Sequence, residues 1–323
     1  DGAPRGRRHR LPVGPGGNGA QATCWRRAAL AASWSRRRWR RRSVWVMDHL
    51  YQIAGLGPPS NAMIEAYTLL GGLAVRTSRA QLGALVTGVT YRWPAVLAKQ
   101  VTALDVVSGG RAVLGIGAGW FEAEHVAYGI PFPGTGERLD RLEEALQIFR
   151  GMFSDERTTV EGRHYSVTDA MNYPRPRRPG GVPILVGGGG ERRTLRMVAR
   201  YGDACNLFGP PDVIRHKLGV LARHCEAEGR DPAEIAKTRL SSLAVGRDRA
   251  DALRRAQDYG RERGMSREQV EGMFLLGGPD EIAEEVGALL EAGLDGLIFN
   301  LPHVADPDEI RRTGELLRPL LPA

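Results

Sequence analysis

The sequence predicts an α/β protein folded as a (β/α)8 TIM-type barrel, and three observations carry that expectation. Short runs that are apolar on both faces alternate with longer segments of helical period, the pattern of a parallel sheet covered by helices. Polar and glycine residues gather just past the ends of those runs, where barrel enzymes keep their active sites. A chain of 323 residues suits one large barrel.

Strands are predicted at Ser43–Met47, Gln81–Val86, Ala112–Ile116, Pro183–Val186, Ala204–Phe208, Arg239–Val245 and Gly296–Phe299. Helices are predicted at Ala62–Val75, Pro94–Val107, Gly136–Phe153, Arg192–Tyr201, Pro211–Glu228, Ala250–Arg263, Pro279–Ala292 and Pro307–Leu317. Several open with proline, whose missing N–H matters least in a first turn. Between residues 138 and 153, Leu139, Leu142, Ala145, Leu146 and Phe149 recur at the spacing of a stripe packed on a sheet. An open doubly wound sheet would show the same alternation. The polar clusters favour the barrel: Asp48 and His49, Thr87 and Thr90, Gly117 and Gly119, Gly187–Gly190 and Asn300 all follow strand ends. The stretch 155–182 fits neither repeat element. It holds a hairpin pattern and a Pro/Arg-rich run, and is expected to be an insertion loop over the mouth.

Seven strands leave a barrel one short, and residues 1–42 supply no obvious replacement. Of the 45 basic and 37 acidic residues, twelve arginines and a single acid, Asp1, lie in this segment. The other 281 residues therefore carry 33 basic and 36 acidic side chains, a net charge of −3. The basic balance of the whole chain thus says nothing about partners of its body, and no nucleic-acid partner is expected. Residues 1–42 hold no lysine and three of the six tryptophans. They are expected not to be the first βα unit, but an Arg-rich segment that is disordered or read from a shifted frame. Residues 43–323 are expected to form the barrel domain.

No run reaches the roughly 18–20 apolar residues of a membrane helix. Cys24, Cys205 and Cys225 lack the spacing of a disulfide framework or zinc site, so no metal or membrane is expected and the cysteine usage fits a cytoplasmic protein. The absence of H-E-x-x-H, G-x-S-x-G and Walker patterns counts against metalloprotease, serine hydrolase and nucleoside-triphosphatase chemistry.

Three motifs bear on function. Asp48-His49 ends the first predicted strand; a carboxylate beside an imidazole can bind a ring system and relay a proton, although a turn cap with an exposed histidine gives the same dipeptide. Gly115-Ile-Gly117-Ala-Gly119-Trp120 lacks the sixth glycine of a dinucleotide fingerprint, so it marks close approach to a flat ligand or only a tight turn. Gly187-Gly188-Gly189-Gly190 stands between a strand and a helix that opens with Arg192 and Arg193. Converging backbone N–H groups at a helix start suit a phosphate.

In this order the segments VWVMDHL, LGALVTGVTYRW, AVLGIGAGW, EGRHY, PILVGGGGERRTL and LLEAGLDGLIFNLP resemble the luciferase-like superfamily of coenzyme F420-dependent oxidoreductases and flavin-dependent monooxygenases, from Val44 to about Pro302. The resemblance implies coenzyme F420, alternatively FMN, at the strand C-termini. It implies that Asp48 and His49 are catalytic, with His49 as proton relay, and that Asp48, Ala84, Leu85 and Thr87 bind cofactor, with a cis non-proline peptide at or next to Ala84-Leu85. Gly117, Gly119, Val186, Gly187, Gly188, Gly189 and Gly190, with Cys205 and Asn206, complete the implied cofactor site. Trp120 stands where the sugar-phosphate dehydrogenases of the superfamily carry a catalytic Glu, and Tyr51-Gln52-Ile53 where they carry a Trp. The expectation is an oxidoreductase moving a hydride between reduced F420 and a small organic substrate other than glucose 6-phosphate, possible as a homodimer. An FMN monooxygenase and a non-catalytic deazaflavin-binding protein are the alternatives.

Overall fold

The computed structural model describes residues 31–35, 43–53, 56–301 and 306–320. Seven parallel strands stand where the pattern of apolar runs places them: β2 (Ser43–Val46), β3 (Gln81–Ala84), β5 (Ala112–Gly117), β8 (Ile184–Gly187), β9 (Ala204–Leu207), β10 (Ala236–Val245) and β12 (Gly296–Asn300). Each hydrogen-bonds to the next in that order, and β10 pairs with both β9 and β12. An eighth strand, β1 (Ala31–Ser35), lies between β12 and β2 and closes the ring. A short β4 (Thr87–Gly88) extends the β3 side along β5, and β11 (Phe274–Gly277) pairs outside the ring with β10.

The closing strand corrects one expectation. No strand was expected from residues 1–42, yet β1 pairs with both neighbours, and it runs antiparallel to each. It is therefore not the parallel first βα unit, which is missing among the described residues. Two open edges offer unpaired N–H and C=O groups to any extended segment between them. Only seven residues separate Ser35 from Ser43, and a parallel neighbour needs a crossover of about a dozen residues or more. The rest of the 1–42 segment lies outside the described residues.

The covering helices are α1 (Ala66–Arg76), α2 (Pro94–Ser108), α4 (Thr135–Ser154), α5 (Thr194–Tyr201), α6 (Pro211–Ala227), α7 (Arg249–Arg261), α9 (Pro279–Glu291) and α10 (Pro307–Leu317), with short α3 (Glu122–Ala127) and α8 (Arg267–Met273) added after β5 and before β11. Between sheet and helices lies the main core. Leu142, Leu146 and Phe149 of α4 are fully buried there against residues such as Leu114, Ile116 and Ile184, each worth about 1.5–3 kcal/mol in burial.

Alternate residues point into the barrel and form a second, smaller core of Trp45, Val113, Leu185, Ala204, Ala236 and Ile298, with Leu85 and Val86 packed against it. Glycines make this core possible. A Cβ on Gly83 would lie 2.6 Å from the Trp45 ring, one on Gly115 2.0 Å from the Ala84 carbonyl oxygen, and one on Gly187 2.9 Å from Val86.

Residues 155–182 contain the expected hairpin, β6 (Thr158–Glu161) with β7 (Ser166–Ala170). It does not cover the mouth. Asn172 bonds to Thr102 and to the Met152 carbonyl, and Arg177 N–H to Asp105, which fixes the segment along α2 and α4. Its turn alone reaches the rim, where Tyr165 donates to the Val89 carbonyl.

Candidate active site

The end of β2 brings two acidic networks to the barrel mouth. Asp48 is buried, and both its oxygens are taken by Arg92, at 2.6 and 3.0 Å. Arg92 also donates to Glu65 at 2.5 Å. Burial opposes the guanidinium charge, but Asp48, Tyr67 and Glu65 outweigh it and push Arg92 above its ordinary range. Asp48 thus serves as one end of an ion-pair network joining β2, the loop after β4 and the start of α1, and its oxygens are already engaged.

The second network centres on Glu124, from α3. His49 Nδ1 lies 2.9 Å from Glu124 Oε2, and the Tyr91 hydroxyl donates to the same oxygen. The backbone N–H groups of Leu50 and Tyr51 donate to Oε1, the latter at 3.3 Å. Glu124 is fully buried. Burial alone would raise its pKa, but the bonds from His49, Tyr91 and Leu50 prevail and hold it below the usual carboxylate value. Burial and the Glu124 carboxylate push the Tyr91 phenol well above its ordinary range, so it remains a donor. A carboxylate accepts about four hydrogen bonds, and here three donors other than His49 are fixed. An ionised Glu124 can only accept, so the proton between it and His49 sits on Nδ1, and Nε2 is the ring nitrogen that Glu124 does not engage.

Around these networks the other expected residues divide by which way the strand turns them. Ala84 faces the helices, whereas Leu85 faces the lumen. The cis non-proline peptide is Leu85-Val86, one residue beyond Ala84-Leu85. Thr87 is buried, its hydroxyl 2.9 Å from that of Tyr67. Gly115, Gly117 and Gly187 leave room for Val86 and the Ala84 carbonyl rather than marking a ligand by themselves. Gly119 has φ +79° and packs by Thr90, whose hydroxyl is 2.6 Å from His125 Nε2.

In the glycine loop Gly188 has φ +113°, which favours glycine. A Cβ on Gly189 would lie 2.6 Å from Lys217 Nζ, so a lysine of α6 stands directly over the loop. Among the described residues no carboxylate pairs with it. Arg193 is turned away: it bonds Asp140 at 2.6 Å and the Gly136 carbonyl at 3.1 Å. Val186 and Cys205 face the helix-side core, and burial pushes the Cys205 thiol up to about 12. Strand alternation sends the neighbouring Asn206 inward, where Thr238 donates to it at 3.2 Å.

Glu124, Tyr91, Arg92, Glu65 and Lys217 are the site residues that motif reading passed over. Trp120 directly follows the glycine turn, and the acid that reaches His49 comes four residues later, as Glu124. The run EAEH directly after GAGWF was the available signal.

This is a closed barrel with a protonatable pair and a glycine cradle at its C-terminal mouth, and similarity to known proteins agrees with it. Residues 42–296 match the luciferase-like monooxygenase family. The chain belongs to that family. It is 34% identical over 289 residues to the F420-dependent glucose-6-phosphate dehydrogenase of Kineococcus radiotolerans, covering 80% of this chain and 82% of that one. Among solved structures, an F420-dependent secondary alcohol dehydrogenase in complex with an F420-acetone adduct superimposes with a TM-score of 0.71 at 19% identity, over 87% of this chain and 89% of that one. Monooxygenase RslO1 from Streptomyces bottropensis gives a TM-score of 0.69 at 20% identity, over 86% and 88% of the two chains. These structural likenesses share the luciferase-like barrel of this family member.

Proposed function

We propose that this family member is an F420-dependent oxidoreductase in which His49, fixed by Glu124, moves the proton that accompanies hydride transfer. The observation that carries the reading is the buried, ionised Glu124 holding His49 Nδ1 at the mouth, in a chain 34% identical to an F420-dependent dehydrogenase. The glycine loop fits the cofactor: its side-chain-free backbone lies under Lys217 Nζ, the chemistry that holds a phosphate.

When bound, F420 gives or takes a hydride at C5 of its deazaflavin ring. Gly188, Gly189, Gly190 and Lys217 would hold its phosphate, and Leu85, Val86 and Gly119 would lie along its ring. His49 Nε2 accepts the hydroxyl proton of an alcohol or, protonated, delivers one to a carbonyl oxygen. The Glu124 charge stabilises the imidazolium formed on the way. Asp48 and Arg92 keep the β2 end in place.

The test compares His49→Ala with the parent in F420 binding and in F420-linked turnover. Turnover is expected to fall by about 10²-fold or more, with F420 affinity nearly unchanged. An unchanged rate removes His49 from the chemistry. The likeness to a monooxygenase fold motivates a second arm with reduced FMN and oxygen, in which no oxygen-dependent turnover is expected.

A further inference from the structure

One side of the mouth is a continuous aromatic wall, and His49 stands against it. Trp120 and Phe121 each meet the His49 ring edge-on, with centroids 5.8 Å away. Phe121 lies 5.3 Å from Trp120 and 5.8 Å from Tyr51, and Tyr51 stacks on Tyr128 at 6.2 Å. This wall is not core. Trp120 is 62% exposed and Tyr128 55% exposed, which leaves a broad apolar face beside a proton-transfer pair, the usual composition of a small-molecule site.

Among the described residues, Arg92 and Arg193 do not turn this face into an anion site. Arg92 is occupied by Asp48 and Glu65, and Arg193 by Asp140. Among the described residues, the arginines that stack on rings stack elsewhere, as Arg138 does on Phe132 and Arg141 on Tyr165. Lys217 stands over the glycine loop, the place the cofactor phosphate requires.

We infer that the substrate is a flat, uncharged molecule with an aromatic ring next to its carbonyl or carbinol carbon, held against Trp120 and Phe121. This rests on the F420 reading and names the substrate class of the same site. In the reducing direction, a hydride from reduced F420 adds to the carbonyl carbon while the proton on His49 Nε2 goes to the oxygen, leaving the alcohol and oxidised F420. The reverse direction returns the hydride to F420 and the hydroxyl proton to Nε2. A sugar phosphate would set a dianion against ring faces whose neighbouring Arg92 is already paired with Asp48 and Glu65.

The experiment titrates the F420-loaded protein with 2-acetonaphthone by calorimetry and follows the ketone's reduction by reduced F420. A parallel arm uses glucose 6-phosphate with oxidised F420. F420 affinity is measured separately by fluorescence, and sedimentation reports the oligomeric state. Saturable ketone binding is expected, with a KM at least about tenfold below that for glucose 6-phosphate. Trp120→Ala is expected to raise both Kd and KM for the ketone about tenfold, with kcat and F420 affinity within about twofold; Trp120→Phe should restore most of the loss. Failure of the ketone to bind, preference for glucose 6-phosphate, or an unchanged KM in Trp120→Ala overturns the substrate class while the F420 reading stands. A variant that shifts sedimentation but not KM makes the wall a self-association surface and overturns it as well. If the parent protein does not bind F420, both readings fall.

Discussion

Glu124 joins three backbone or phenolic donors and one imidazole on a single carboxylate, and its removal separates orientation from charge. Glu124→Gln keeps the shape but loses the charge that makes Nδ1 the protonated nitrogen of His49. Turnover is expected to drop by about tenfold or more with little change in F420 affinity, measured by steady-state kinetics beside fluorescence titration. The same residue gives a pH signature. Its folded pKa lies below its ordinary value of 4.5, so its contribution to stability is complete above that value and is lost as pH falls through the lower folded one. Thermal melts should therefore separate parent from Glu124→Gln at neutral pH and converge in acid. A gap that widens on acidification contradicts the assignment.

Glycines at the element scale sort by what surrounds them. Gly115 of β5 has the Ala84 carbonyl 2.0 Å from where a Cβ would stand, and backbone cannot step aside. Gly115→Ala is expected to destabilise by about 1–3 kcal/mol or more. Gly72, within α1 with nothing near, should gain about 0.5–1 kcal/mol on substitution by alanine. Chemical denaturation of the two variants checks both signs. Local pattern made such elements readable: seven apolar runs and eight periodic segments correspond to the seven parallel strands and eight covering helices. It could not reveal β1, whose Ala-Ala-Ser-Trp-Ser carries no strand period and which forms because two edges lie open beside it. Nor could it single out Glu124 from Glu122 on the same six-residue helix, since Glu124 reaches His49, 75 positions away, only through the closed barrel. Asp48 and His49 were legible because they end a strand; that Asp48 is held on Arg92 was not, since the pairing spans 44 positions.

At the scale of the whole molecule, the barrel's closure depends on β1. It pairs along its whole length with β12 and over Ala31–Ser33 with β2. Ser33→Pro removes one backbone N–H from the middle of the strand and is expected to destabilise by about 1–3 kcal/mol, visible as a lowered Tm; an unchanged Tm would mean the ring does not need this strand. On the proposed reading, cofactor choice is likewise a property of the assembled mouth, where the glycine loop, the Leu85-Val86 segment and His49 arrive from three separate strands.

The most direct test of the central claim is titration of the purified protein with F420 and with FMN, each followed by fluorescence and by turnover with the reduced cofactor in the presence and absence of oxygen. Saturable F420 binding at least about tenfold tighter than FMN, with turnover that needs reduced F420 and no oxygen, is the expected result. Tighter binding of FMN with oxygen-dependent turnover, or no binding of F420, would contradict it.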